Sequence, residues 1–249
     1  MILKVLGSSS TGNCYLLETD TGTLLLDAGV PFREIQAGLE FDLAKVEGCL
    51  ITHIHGDHAL AIRGVCRSGI DVHAPGECIR LLDDGYSHRF HPTEPGEQFS
   101  LGDFTILAVE AQHDADVECL AYLIVYRPTG EKLLYATDTY YLKNTFKDLN
   151  YILIECNYCR DILDTNFEKG LIDKGRRGRL LKSHFSLENV KLFLQANEMW
   201  SVEKIILIHL SDTNSNAARM ISEVEAVTKK RITVAAEAGM IIPLDLYPF

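Results

Sequence analysis

Cys49-Leu50-Ile51-Thr52-His53-Ile54-His55-Gly56-Asp57-His58 is the stretch on which the rest of the chain turns. An apolar run of strand length stops at Thr52, and three histidines and an aspartate follow within six residues. Asp57 alone is explained by capping of the next helix. The histidines are not. Three neutral imidazoles and a carboxylate packed into one turn compete for donors and acceptors, whereas a divalent cation satisfies all of them. The string therefore reads as a metal-binding loop leaving the end of a strand.

Upstream, short apolar runs at 2–6, 15–18 and 23–27, punctuated by Gly, Ser, Thr and Asn, predict a β-meander. Pro31 then opens a helix to 39 with Phe32, Ile35 and Leu39 on one face. Downstream, the pattern predicts a helix over 59–67, a strand over 71–74 and a helix over 75–83. Strands over 99–112, 119–126 and 132–137 predict a second sheet, largely antiparallel. A buried strand at 151–155, a helix over 187–200, a strand at 204–210, a helix over 216–229 and strands at 231–235 and 240–244 complete the chain. Strands and helices recur in two similar halves. The expected fold is α/β, with two mixed sheets face to face and helices outside, in a single domain spanning 1–249.

The 249 residues are 47% hydrophobic and 24% charged, which excludes a disordered chain or a coiled coil. A net charge of −11 repels polyanions on average, without forbidding a local basic patch. The first residues lack the charged opening and longer apolar run of a signal peptide, and no apolar stretch approaches the ~20 residues of a membrane span. The expectation is a cytoplasmic protein with no membrane partner. Seven scattered cysteines read as reduced thiols, and the Cys156/Cys159 pair as strand-end packing, since no second pair completes a zinc knuckle.

Taken with Leu24-Leu25-Leu26-Asp27-Ala28-Gly29, Gln112-His113-Asp114, Ala136-Thr137-Asp138 and Ile208-His209-Leu210-Ser211, the HxHxDH string resembles the motif series of the metallo-β-lactamase fold superfamily. The resemblance implies a four-layer αββα sandwich. It also implies one metal on His53, His55 and His113, a second on Asp57, His58 and His209, and Asp138 bridging them. Asp27 would hold the histidine loop through hydrogen bonds. Zinc is the first candidate for the two divalent ions and manganese the second. Leu6-Gly7-Ser8-Ser9-Ser10-Thr11-Gly12-Asn13-Cys14, Glu155-Cys156-Asn157-Tyr158, Ser183-His184-Phe185-Ser186 and His209-Leu210-Ser211-Asp212-Thr213-Asn214 are similar to the YycJ-type branch. That branch holds DNA exonucleases and the related viral anti-Pycsar phosphodiesterases, which destroy cyclic nucleotides; a homodimer is implied by the same resemblance.

Both activities break phosphodiesters. The expected function is hydrolysis of small nucleotides, 3′,5′-cyclic ones among them, by a metal-bound hydroxide, with charge on the phosphoryl oxygens neutralised by the ions. Asp57 is the candidate to orient the water. His184, the motif histidine left without a metal, is the candidate proton donor to the departing alkoxide, against a plain helix-capping role before Ser186. Between 169 and 182, six cations face one anion, a local charge of +5. A solvated loop is the ordinary meaning of such a run, but its place before His184 nominates Arg176, Arg177 and Arg179 as a phosphate grip. Ser9 and Asn13, in the loop from Gly7, are candidates to meet phosphate or ribose, and Tyr158 to stack a base. A YycJ-like exonuclease on DNA is the competing activity, supported by the basic run. A metal-stabilised binding protein without catalysis is the third possibility.

Overall fold

Leu24, Leu25 and Leu26 are all fully buried, yet they face different partners. Side chains alternate along a strand, so Leu24 and Leu26 join an inner core between two sheets while Leu25 joins an outer one. The same division runs through the whole molecule. A computed structural model describes residues 1–82, 84–229, 232–234 and 238–245, the side chains of 84 and 232–234 excepted.

One sheet begins with β1 (Ile2–Ser9), β2 (Gly12–Glu18), β3 (Thr23–Leu26), β4 (Val46–Leu50), β5 (Val72–Ala74) and β6 (Phe90–Pro92), side by side in that order. The other runs from β7 (Gln98–Leu101) through β8 (Phe104–Glu110), β9 (Leu120–Tyr126), β10 (Glu131–Ala136), β11 (Tyr151–Glu155) and β12 (Lys204–Ile208) to β13 (Ile232–Val234). The last strand, β14 (Ile241–Pro243), returns to the first sheet beside β1. Both sheets are mixed: β3, β4, β5 and β6 pair in parallel, as do β10, β11, β12 and β13, and the remaining pairs are antiparallel.

Between the sheets, Leu3, Tyr15 and Leu24 of one meet Phe104, Tyr122, Leu153 and Ile206 of the other. Outside the first sheet, α1 (Phe32–Gly38) and α3 (Ile62–Arg67), which follows the short α2 (Gly56–Ala59), cover Leu16, Leu25 and Ile51 through Ile35, Ile62 and Val65. The chain continues with α4 (Arg160–Glu168), α5 (Lys174–Ser183), α6 (Leu187–Ala196) and α7 (Ala217–Thr228). Of these, α6 and α7 cover Leu134, Ile152 and Leu207 of the second sheet through Val190, Leu194, Met220 and Val224. This is the four-layer αββα sandwich expected from the sequence. Capping explains where the outer helices start: Ser186 Oγ accepts from Asn189 N at 3.1 Å and Asn216 Oδ1 from Arg219 N at 3.0 Å.

Several boundaries differ from expectation, each for a local reason. The 99–112 run is a hairpin of β7 and β8, because Gly102 turns the chain at φ +48. The second sheet is mixed, since β10 through β13 run parallel and are joined by crossovers, an irregular one over 137–150 and helical ones after β11 and β12. The 59–67 helix breaks at Ala61, whose N–H leaves the helical ladder for Ala28 O at 2.8 Å. Residues 76–81 form a 3-10 helix, and the helix begun at Leu187 stops at Ala196. The basic run is itself α5, capped by Asp173, whose side chain accepts from Arg176 N at 2.9 Å. Asp83, Arg231 and Ala235, at the ends of two expected elements, lie outside the described residues. Among the described residues no helix is long and apolar enough to cross a membrane, and all seven cysteines are buried free thiols.

Candidate metal centre

Six strands release a polar side chain just past their C-terminal ends: Asp27 after β3, the 53–58 loop after β4, His113 after β8, Asp138 after β10, Glu155 closing β11 and His209 after β12. Parallel pairing of β3 with β4, of β10 with β11 and of β11 with β12 puts these ends on shared edges. Asp27, Asp138 and His209 have φ of 55°, 47° and 54°. Such left-handed backbone costs roughly 1–3 kcal/mol per residue and persists where the surrounding structure enforces it. Here it turns each side chain sharply off its strand. The Asp27 turn grips the histidine loop as well: Ala28 N donates to His58 O at 2.7 Å. A Cβ on Gly29 would stand 1.7 Å from Asp57 O, so only glycine permits the approach.

Hydrogen bonds assign the ring nitrogens. His113 Nδ1 donates to Ser183 O at 2.9 Å, and His58 Nδ1 to Asp27 Oδ2 at 2.7 Å. The Thr52 hydroxyl donates to Asp27, which leaves its oxygen to accept from His53 Nδ1 at 3.1 Å. His53 Nε2 and His113 Nε2 are therefore lone-pair nitrogens, and they face His55 Nδ1 at 2.9 and 3.3 Å. A proton on His55 Nδ1 satisfies only one of the two lone pairs that face it, whereas a cation among the three nitrogens satisfies all of them.

Asp57, His58, Asp138 and His209 form a second group, with ligand atoms within 4.8 Å of one another. Asp138 addresses both groups, Oδ1 lying 3.4 Å from His58 Nε2 and Oδ2 3.8 Å from His53 Nε2. His209 Nδ1 is 2.8 Å from both Asp138 Oδ1 and Glu155 Oε1. Its Nε2 is buried with no hydrogen-bond partner, 3.8 Å from Asp57 Oδ2. An orphaned buried nitrogen among carboxylates suits a cation. The electrostatics agree. Burial opposes charge on His58 and His209, yet Asp138 with Asp27 lifts the first well above the usual histidine range, and Asp138 with Glu155 lifts the second to about 10. Burial, then His58, holds His53 well below that range. Nitrogen and carboxylate donors, an orphan and a surplus of negative charge fit two divalent ions.

A cleft of about 190 Å³ opens on the centre, with Arg176, Arg179, Asn157 and His184 among its walls. His184 is raised: burial works against its charge, but Glu155, whose Oε1 accepts from Nδ1 at 2.7 Å, outweighs it. Glu155 is fully buried and touches both His184 and His209, although the sequence reading gave it no role. Its signal was available, a carboxylate ending a wholly apolar strand in the manner of Asp27.

Four candidate substrate residues stand elsewhere than expected. Arg177 is tied to Asp164 Oδ1 at 2.7 Å and lies over the Phe167 ring, because helical rotation turns it away from the face shared by Arg176 and Arg179. Ser9 Oγ bonds Thr11 Oγ1 at 2.7 Å, and its neighbour Ser10 lines the cleft instead. Asn13 is buried against the centre, its Nδ2 3.1 Å from His58 Nε2. Tyr158 is fully buried with Leu163 and Ile172, so its ring offers no face to a base.

Comparison with known proteins matches the family described as "Beta-lactamase superfamily domain" over residues 23–210. Exodeoxyribonuclease YycJ of Bacillus anthracis is 28% identical over 244 residues, covering 91% of this chain and 89% of that protein. Exodeoxyribonuclease WalJ of Streptococcus pneumoniae is 26% identical over 260 residues, 98% of this chain and 92% of that protein. Among solved structures, the metallo-beta-lactamase fold protein YhfI from Bacillus subtilis superposes with a TM-score of 0.70 at 15% identity, covering 97% of this chain and 98% of that one, a likeness of fold.

Proposed function

The chain belongs to the beta-lactamase superfamily, in its YycJ-type branch, and on that premise we propose that it is a two-metal phosphodiester hydrolase acting on small nucleotides, 3′,5′-cyclic ones among them. The observation that carries this is the meeting of two donor groups across Asp138, beside a cleft furnished with Arg176, Arg179 and His184. His53, His55 and His113 would hold one cation, Asp57, His58 and His209 the other, with Asp138 shared. The imidazole-rich set favours zinc over manganese. When bound, such cations supply Lewis acidity to water and to a phosphoryl oxygen.

The remaining work falls to this chain's side chains. Arg176 and Arg179, three apart on α5, present guanidinium forks to the nonbridging phosphate oxygens. Asp57, whose side chain is 26% exposed against 3% for Asp138, orients the attacking water. His184 is anchored through Nδ1 on Glu155, which leaves Nε2 to deliver a proton to the departing alkoxide. Glu155 acts as a positioning residue.

A second substrate, the end of a DNA strand, is favoured by the cations of α5 and by the names of YycJ and WalJ. The test uses protein purified without chelator, its metal counted by elemental analysis, and offers cyclic mononucleotides and end-labelled duplex DNA in parallel. Turnover of the cyclic mononucleotides supports the first reading, and turnover of DNA alone transfers the site to the second. Less than one metal per chain with no hydrolysis of either refutes both and leaves a metal-stabilised binding protein.

A further inference from the structure

Across His113 from the cleft lies a second, larger hollow of about 740 Å³, and His113 lines both. The two differ in charge. The cleft sets Arg176 and Arg179 against Asp57 and Asp138 of the metal groups, whereas the hollow carries Glu94, Glu110, Asp114 and Glu118, with Lys182 the one lysine among its described lining residues. Asp114 accepts from Ser183 Oγ, and Glu110 accepts from Gln112 Nε2 at 3.1 Å, so neither bond supplies a compensating cation. A substrate that spans both spaces holds its scissile phosphate beside arginines and whatever continues past His113 beside carboxylates.

We propose that the acidic hollow is a specificity determinant: it receives an uncharged nucleoside and rejects one that carries a further phosphate. The scissile phosphodiester is then the last charged group on that side of the substrate. The inference rests on the phosphodiesterase reading, and it applies equally to a cyclic mononucleotide and to the terminal bond of a strand. Internal bonds of a polyanion are excluded. Carboxylates accept hydrogen bonds from ribose hydroxyls and base amines, so they welcome a nucleoside. A terminal phosphate brings about −1.5 to −2 of charge at pH 7 and is repelled. The volume lies within the roughly 300–1,000 Å³ of pockets that hold whole small ligands. Because Glu94, Glu110 and Glu118 are exposed, the repulsion acts through water and fades with salt over a Debye length of about 8 Å at physiological ionic strength.

Dinucleoside monophosphates test this on the metal-replete protein: one unmodified, one with a 5′-terminal phosphate and one with a 3′-terminal phosphate, with bis(p-nitrophenyl) phosphate as a general phosphodiester. The unmodified dinucleotide and bis(p-nitrophenyl) phosphate should be hydrolysed. A phosphate on one end should lower kcat/KM by about tenfold or more at low ionic strength, and added salt should shrink that penalty. The double substitution Glu94→Gln/Glu118→Gln should shrink it too. Equal kcat/KM for all three dinucleotides, or a penalty indifferent to both salt and the double substitution, overturns the inference and leaves the hydrolase standing. Failure to hydrolyse bis(p-nitrophenyl) phosphate strikes instead at the hydrolase reading, and removes the inference with it.

Discussion

Glu155→Gln asks whether His184 works because it is held. Glu155 Oε1 accepts from His184 Nδ1 at 2.7 Å and His209 Nδ1 at 2.8 Å, while Oε2 accepts the backbone N–H groups of Thr139 at 3.2 Å and Phe185 at 3.1 Å. Glutamine keeps one acceptor oxygen and puts an NH₂ where the other stood, so in either orientation two buried donors face a donor. At about 1–3 kcal/mol for each orphaned donor, the cost is about 2–6 kcal/mol. That is a large part of the roughly 5–15 kcal/mol that holds a domain together, so the variant folds with a lowered Tm. General acids contribute about 10²–10⁴ to rate, and partners that only orient a group contribute about 10–100-fold. At saturating metal, kcat on bis(p-nitrophenyl) phosphate should fall by the second amount, with KM nearly unchanged. The double variant Glu155→Gln/His184→Ala should be no slower than His184→Ala alone, because both act through one proton transfer. Multiplying effects, or a kcat close to that of the parent protein, would refute the positioning role.

His184→Ala should retain its metal, counted by elemental analysis, while kcat falls about 10²–10⁴-fold, since a proton donor is lost and no ligand is. Metal loss in that variant would mean the ligands are misassigned. Gly29→Ala would set a methyl 1.7 Å from Asp57 O and push the histidine loop off its strand; a destabilisation of about 3 kcal/mol or more should appear in denaturant unfolding. His73, stacked between His91 and Phe99, is pushed down to about 4 by burial and by His91. Below the ordinary histidine value of about 6.5 the unfolded chain binds the proton more readily, so stability is complete above that pH and is lost as pH falls toward 4. The ring is partly exposed, and screening reduces the loss to about 1–2 kcal/mol. Urea unfolding at neutral and acidic pH should show it, and His73→Phe should abolish most of it.

The sandwich and the seven candidate ligands were legible because each rests on a local pattern. Short apolar runs marked the strands, and polar residues at their ends marked the loops that share an edge. Glu155 carried the same mark as Asp27, an acid ending an apolar strand, but a single glutamate after Tyr151-Ile152-Leu153-Ile154 has no meaning until His184 from the end of α5 and His209 from the end of β12 arrive beside it. Arg176, Arg177 and Arg179 were inseparable in sequence. Only the helical turn of α5 sends Arg177 to Asp164 and the other two to the cleft.

The amino-acid order alone determined what was present: an HxHxDH loop on a strand end, partners recurring at later strand ends, and continuous apolar runs that bury both faces of the central strands. Which nitrogen of each imidazole faces inward, which arginine meets the cleft, and that an acidic hollow lies across His113 from the arginine-bearing cleft were decided by the tertiary structure. The physical reason is one of range. Strand pattern and motif spacing are set by neighbours along the chain, whereas tautomers, helix rotation and the sign of a pocket's field depend on groups far apart in sequence that only folding brings within a few ångströms.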